Sequence, residues 1–187
     1  MSAARKRAVT LILGGVRSGK SRYAQRLAGS FKSVTFIATA LATDAEMRQK
    51  IAAHRRERPR EWRTVEAPTG LPAAISKASA SSQVILIDCL TTYVGNQMMD
   101  SLHKCRSPRA ARSSLDSARL CTAIGSARSS IIIVSNEVGS GIVPAYRSGR
   151  LYRDLLGELN QQVAGIADRV VFMVAGQPLT IKGERGS

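Results

Sequence analysis

The chain is short of cysteine, of aromatic residues and of acid, and each shortage closes off a class of explanation. Its three cysteines, Cys89, Cys105 and Cys121, are odd in number, widely spaced and without a C-x-x-C pair. Neither a disulfide framework nor a cysteine-rich zinc site is indicated. Free thiols in that arrangement suit a reducing compartment, so a cytoplasmic location is expected. Aromatics make up 4% of residues and are almost absent from the basic clusters, which removes the stacking platform that single-stranded nucleic acid needs. No apolar run approaches the ~18 residues of a membrane span. Residues 1–7 form a basic tail that leads into an apolar stretch too brief for a signal-peptide core. Asp and Glu number 13 against 28 Lys and Arg, a formal net charge of +15. That charge is scattered, with Arg55, Arg56, Arg58 and Arg60 in one place and Arg147, Arg150 and Arg153 in another. It points to anionic small ligands rather than to specific nucleic-acid binding. Weak, salt-sensitive attraction to RNA is all the charge predicts there.

What is present is compact in size and rich enough in apolar residues to fold. A length of 187 residues with 44% hydrophobic content suits one domain, 1–187, around a real core. Its most informative stretch is Gly14-Gly15-Val16-Arg17-Ser18-Gly19-Lys20-Ser21, which fits G-x-x-x-x-G-K-[ST]. The apolar, β-prone run 8–13 precedes it and a helical pattern over 21–28 follows, with apolar positions at Ala24, Leu27 and Ala28. Strand, glycine loop and helix in that order are the context of a phosphate-binding P-loop. Its glycines let backbone N–H groups converge on a polyphosphate at a positive helix end. Lys20 is expected to reach the β and γ phosphates, and the Ser21 hydroxyl to hold a Mg2+ that bridges them.

Further along, 34–39 reads as a buried strand and 43–58 as a helix capped by Thr43 or Asp44, with Met47 and Ile51 on one side and Pro59 as its stop. A short strand is expected over 62–66, a helix over 71–80, and strands over 84–88 and 131–134. A long helix is expected over about 149–167. A final strand pair, 170–174 and 179–182, is joined through Gly176-Gln177-Pro178. Continuous apolar strands alternating with helices predict a mostly parallel sheet covered on both faces. The expected class is α/β, a three-layer P-loop NTPase-type fold of the RecA-like kind. Ligands on such sheets sit at the carboxyl ends of the strands, where the P-loop, Thr39, Asp88 and Asn136-Glu137 all fall. The stretch 100–130 fits less well, with six basic residues against two acids and weak periodicity. A helix with Leu115, Ala118, Leu120 and Ile124 on its inner face, or a surface insertion, would each account for it.

Asp88, at the tip of an apolar strand, has the placement of an acid that completes a magnesium shell beside Ser21. Capping of the turn that follows is the plainer alternative. His54 sits among arginines late on its helix and, on residue type alone, is an ordinary surface residue. His103 is read the same way.

Several ordered segments together carry a resemblance. They are the P-loop with Arg22, then Phe36-Ile37-Ala38-Thr39, Asp44-Ala45-Glu46-Met47, His54-Arg55-Arg56-Glu57-Arg58-Pro59 and Trp62-Arg63-Thr64-Val65-Glu66. Asp88-Cys89-Leu90-Thr91, the run 136–144, Tyr152-Arg153-Asp154 and Leu159-Asn160-Gln161 complete it. Over nearly the whole chain except 100–130 it resembles the bifunctional adenosylcobinamide kinase / adenosylcobinamide-phosphate guanylyltransferase family of cobalamin biosynthesis. The resemblance implies phosphorylation of adenosylcobinamide by a nucleoside triphosphate, ATP or GTP. GMP then passes from GTP to that phosphate through a guanylylated histidine, and His54 holds the family's position for it. It also implies nucleotide contacts from Gly14 to Ser21, from Ala38, Thr39 and Ala40, from Arg55, Arg56, Glu57 and Arg58, and from Glu66 and Asp88. A homo-oligomer, a trimer, is implied as well.

The chemistry suits those residue types: an imidazole attacks phosphorus readily and leaves readily once phosphorylated. Lys20, magnesium and the loop amides would absorb the charge of the departing pyrophosphate. Glu66 suits the N1–H and N2–H donors of guanine, although an exposed strand-end acid needs no such role. No general base for the kinase step stands out, and the loop 136–144 is the candidate for gripping the corrinoid. The readings this excludes if right are a P-loop ATPase acting on nucleic acid and a monofunctional small-molecule kinase with His54 idle.

Overall fold

The computed structural model describes residues 6–56, 58–105 and 115–183. Among these residues, seven strands form one sheet in the order β3-β2-β4-β5-β1-β6-β7. They are β1 (Val9–Gly14), β2 (Val34–Ala38), β3 (Arg63–Glu66), β4 (Val84–Asp88), β5 (Ser130–Val134), β6 (Arg169–Val174) and β7 (Gln177–Lys182). Every pairing is parallel except that of β6 with β7. The central strands are apolar along both faces because both faces are covered. Leu11 and Ile12 of β1 and Ile85 to Ile87 of β4 are all buried. This is the three-layer α/β arrangement expected of a P-loop NTPase.

The helices are α1 (Lys20–Ala28), α2 (Ala45–Arg56), α3 (Leu71–Ser79), α4 (Leu90–Cys105), α5 (Ser117–Ser126) and α6 (Arg147–Ile166). One face of the sheet packs α1, where Tyr23, Ala24 and Ala28 meet Ile12, Phe36, Leu86 and Ile132. The other face carries α3 to α6, packed through Ile75, Tyr93, Ile124 and Leu156 onto Leu11, Ile87 and Ile133. The stretch 100–130 therefore belongs to two helices, with 106–114 outside the described residues. Asp116 caps α5 by accepting from the Arg119 N–H at 2.8 Å. Leu120, Ala123 and Ile124 form its inner face. Ala118, expected on that face, points outward, because the 3.6-residue period through 120 and 124 selects 123 instead.

Several boundaries move. Asp44, not Thr43, caps α2, its carboxylate accepting from the Met47 N–H at 2.7 Å. That helix ends at Arg56, ahead of Pro59. The long helix begins at Arg147 and closes at Ile166. The last hairpin turns on Ala175-Gly176, both with positive φ (49° and 80°), the two-residue turn that matches strand twist. Gln177 and Pro178 are already in β7. The expected strand at 62–66 starts at Arg63.

Candidate functional site

The P-loop leaves β1 at Gly14 and enters α1 at Lys20. Two of its turns are left-handed, at Arg17 (φ 56°) and Gly19 (φ 91°). Gly14 is glycine for steric reasons: a Cβ there would lie 2.5 Å from the Met173 carbonyl oxygen. The hairpin between β6 and β7 backs the loop, with the Gly176 N–H donating to the Ser18 carbonyl at 3.1 Å. Gly15 differs, since nothing lies within 4 Å of a Cβ built on it. Space, not strain, is what glycine supplies there. Val16 and Arg17 form the exposed crest, whereas Ser18 is buried.

Lys20 is buried at the foot of this loop. Its ammonium donates to the Gly15 carbonyl at 2.5 Å and to the Ser18 hydroxyl at 3.4 Å. Burial pulls its pKa below the ordinary lysine value, and the nearby Cys89 and Asp88 oppose that shift. A cation held against main-chain oxygens beneath open amides is poised to move to phosphate.

Asp88 ends β4, one strand away from β1, and the Ser21 hydroxyl lies near enough to its carboxylate to favour the charged form. Burial pushes its pKa up, opposed by the nearby Ser21 hydroxyl, His54, Arg58 and Lys20. An oxygen pair of this kind, one hydroxyl and one carboxylate, suits a hard cation that takes its other ligands from phosphates and water. The turn after Asp88 runs through a cis peptide to Cys89. Thr39 lies beneath it, fully buried, its hydroxyl accepting from the Cys89 N–H at 2.8 Å and lying 2.7 Å from the Cys89 carbonyl. Thr39 thus braces the strand ends from below. Its own carbonyl accepts from Asn96 Nδ2 at 2.8 Å.

A cavity of about 670 Å³ opens between α2 and the carboxyl ends of β2, β3 and β4. His54, Arg55 and Arg58 line it from the helix side, with Met47 and Ile51 on the same wall, and Ala38, Ala40, Glu66 and Asp88 line it from the sheet. Arg58 is fixed from three directions. Its Nε donates to the His54 carbonyl at 3.1 Å, its Nη1 donates to the Thr64 hydroxyl at 3.1 Å, and its guanidinium carbon sits 3.9 Å from the Phe36 ring centre. Burial and the neighbouring Arg55 pull its pKa down. Arg55 pairs with Glu66 at the mouth, both partners well exposed. Arg56 is exposed and does not line the cavity. Glu57 lies outside the described residues.

The structure therefore brings His54, Arg55, Arg58, Glu66 and Asp88 to one cavity, with Lys20 and Ser21 against Asp88. Missing from the sequence reading were the supports on α4: Thr92, whose hydroxyl lies 2.5 Å from that of Thr39, and Asn96. Their signal was present as polar residues at helical spacing from Asp88, but nothing in a sequence says which carbonyl they will meet.

Comparisons with known proteins show the family to which the chain belongs. Residues 10–181 match the family described as Cobinamide kinase / cobinamide phosphate guanyltransferase. The chain is 44% identical over 177 residues to the bifunctional adenosylcobalamin biosynthesis protein CobP of Pseudomonas aeruginosa, covering 93% of this chain and 97% of that one. It is 37% identical over 180 residues to the corresponding CobU protein of Escherichia coli, covering 92% and 98%. Among solved structures, a prototypical ATPase from the type III secretion system of pathogenic bacteria superposes with a TM-score of 0.53 at 13% identity. That match covers 92% of this chain and 56% of the ATPase, and at such identity it speaks to the fold alone.

Proposed function

This chain belongs to the cobinamide kinase / cobinamide phosphate guanyltransferase family, and from that premise we propose how its residues divide the two reactions. It is a bifunctional kinase and nucleotidyltransferase of cobalamin biosynthesis. In the guanylyl step, an imidazole nitrogen of His54 attacks the α-phosphorus of GTP. A nitrogen–phosphorus bond forms, the bond to the bridging oxygen breaks, and pyrophosphate leaves toward Lys20 and the amides of the P-loop. An oxygen of cobinamide phosphate then attacks the same phosphorus, the nitrogen–phosphorus bond breaks, and the imidazole is restored. In the kinase step the terminal phosphoryl group of ATP or GTP passes to the hydroxyl of adenosylcobinamide, with positioning and charge neutralisation carrying most of the catalysis.

Ser21 and Asp88 are the pair to hold Mg2+, which when bound neutralises charge on the β and γ phosphates. Arg58 holds the end of α2 and faces the α-phosphate, and Glu66 accepts from the guanine edge. The fold is read as RecA-like, one nucleotide-binding domain working in the cytoplasm as a homo-oligomer, a trimer. Specific nucleic-acid binding has no part in the reading.

The observation that carries this reading is that His54 shares a cavity with Asp88, whose carboxylate stands near Ser21 and Lys20 of the P-loop. GTP labelled on the α-phosphate tests it. The protein should retain label as an acid-labile, alkali-stable phosphoramidate, and His54→Ala should lose the label while kinase turnover continues. Label persisting in that variant would refute the assignment. ATP hydrolysis stimulated by DNA or RNA and falling steeply with salt would favour a nucleic-acid ATPase instead.

A further inference from the structure

A second cleft, of about 320 Å³, lies beyond the end of β5, the strand between β4 and β1. Glu137 to Gly139, just beyond β5, form one wall, and Arg153, Gly157 and Asn160 on α6 form the other. The cleft is tied to the phosphate site, because the Glu137 N–H donates to the Gly14 carbonyl at 3.0 Å. Its polar groups are incompletely used. Nη1 of Arg153 is buried without a hydrogen-bond partner, and so is Oδ1 of Asn160. Asn160 is only 6% exposed, and its amide nitrogen is already committed to the Asn136 carbonyl at 3.0 Å. A buried donor and a buried acceptor left open on one wall are costly unless a ligand completes them.

The loop that forms the first wall continues to the start of α6, where Arg150 grips the carbonyls of Pro144 and Ala145 at 2.9 and 2.7 Å. Along it, Ile142 and Tyr146 are 96% and 81% exposed. Apolar side chains held out along the loop that walls a polar cleft fit a ligand with an apolar body and hydrogen-bonding arms.

We propose that this cleft and its apolar lip are the subsite for the corrinoid acceptor, with Arg153 and Asn160 receiving a peripheral carboxamide. A primary carboxamide offers one carbonyl acceptor and two N–H donors, the complement of the open Arg153 donor and Asn160 acceptor. The corrin ring carries such amides around an apolar macrocycle, which Ile142 and Tyr146 cover. The acceptor's hydroxyl or phosphate arm then reaches the P-loop past Glu137, whose N–H is bonded to Gly14. This inference rests on the corrinoid reading of the acceptor, but not on the role given to His54.

The experiment measures binding of cobinamide to the full chain by equilibrium dialysis, followed by the corrinoid's own absorbance, alongside labelling by α-labelled GTP without acceptor. Arg153→Met and Ile142→Asp should each weaken cobinamide binding about tenfold or more, leaving the GTP label unchanged. Cobinamide affinity unchanged in both variants overturns the subsite. Should Arg153→Met fail to fold, exposed Ile142→Asp with Tyr146→Asp decides alone. Loss of oligomerisation in Ile142→Asp, with cobinamide affinity intact, would assign the lip to a second copy and also overturn the proposal. Loss of GTP label in the wild-type protein would refute the guanylyl reading instead, a result these binding measurements do not share.

Discussion

Arg58 donates from its Nε to the main-chain carbonyl of His54 at 3.1 Å, closing the end of α2 over the cavity. The same guanidinium reaches the Thr64 hydroxyl and lies over the Phe36 ring, so one side chain fixes the helix end to β2 and β3. The imidazole stands on the residue whose carbonyl is held. A planar fork stacked on an aromatic face is something a lysine ammonium cannot reproduce. Arg58→Ala should slow transfer of GMP to His54 by about a hundredfold through misplacement of the nucleophile, and Arg58→Lys should restore only part of it. Single-turnover labelling reads the rate. An unchanged rate in Arg58→Ala would remove this residue from any role in positioning.

Glu66 pairs with Arg55 in this structure, and guanine would have to replace that arginine. Both partners are exposed, and pairs of this kind contribute about 0–1 kcal/mol, so opening the pair costs little. A carboxylate accepts from both N1–H and N2–H of guanine, whereas an amide puts a donor opposite one of them. Glu66→Gln should weaken GTP about tenfold to a hundredfold and erase the preference for GTP over inosine triphosphate, which lacks the second donor. Competition binding against both nucleotides measures it. A preserved preference would place guanine recognition elsewhere.

Much of this site was legible beforehand because it is local in sequence. A P-loop spells itself within eight consecutive residues, and an apolar strand ending in Asp88 declares its own tip. What stayed hidden depends on contacts across the chain. The helix α4 escaped notice since Thr92, Asn96 and Gln97 interrupt its apolar face. The structure shows why they are there: Thr92 meets Thr39, Asn96 donates to the carbonyls of Thr39 and Pro68, and Gln97 donates to that of Thr69. Half-buried polar residues that satisfy loop carbonyls look like surface residues in a one-dimensional pattern. Ala118 misled for the opposite reason, since alanine suits either side of a helix.

Tyr152 donates its hydroxyl to the Thr91 carbonyl at 3.1 Å, and Thr91 in turn accepts from the Asn136 N–H at 2.9 Å. Burial, with a smaller part from Cys89, pushes its pKa up to about 12 from 10.0. The phenol holds its proton in the folded chain after the unfolded chain has lost it. Its contribution to stability is therefore complete below about pH 10 and is lost as pH rises through about 12. Tyr152→Phe should destabilise the protein by roughly 1 kcal/mol at pH 8. It should also remove the latest-titrating component from the alkaline absorbance titration. If that component survives the substitution, the late titration belongs to another group.

Gly14 and Gly15 stand side by side yet should fail in different ways. At Gly14 φ is +150° and an added Cβ would meet the Met173 carbonyl oxygen at 2.5 Å and the Ser18 hydroxyl at 2.8 Å. The first is main chain of β6, whose pairing with β1 fixes it, so relief requires the sheet to shift. Gly14→Ala should cost about 2–4 kcal/mol of stability, the range of a strained backbone combined with overpacking. At Gly15 nothing lies within 4 Å of the added carbon, and only an occupant of the loop would touch it. Gly15→Ala should melt within about 0.5 kcal/mol of the parent while losing triphosphate affinity in both reactions. Thermal denaturation and nucleotide titration on the same two variants separate the outcomes. Equal nucleotide affinity in Gly15→Ala and the parent would mean that the phosphates do not pass over this part of the loop.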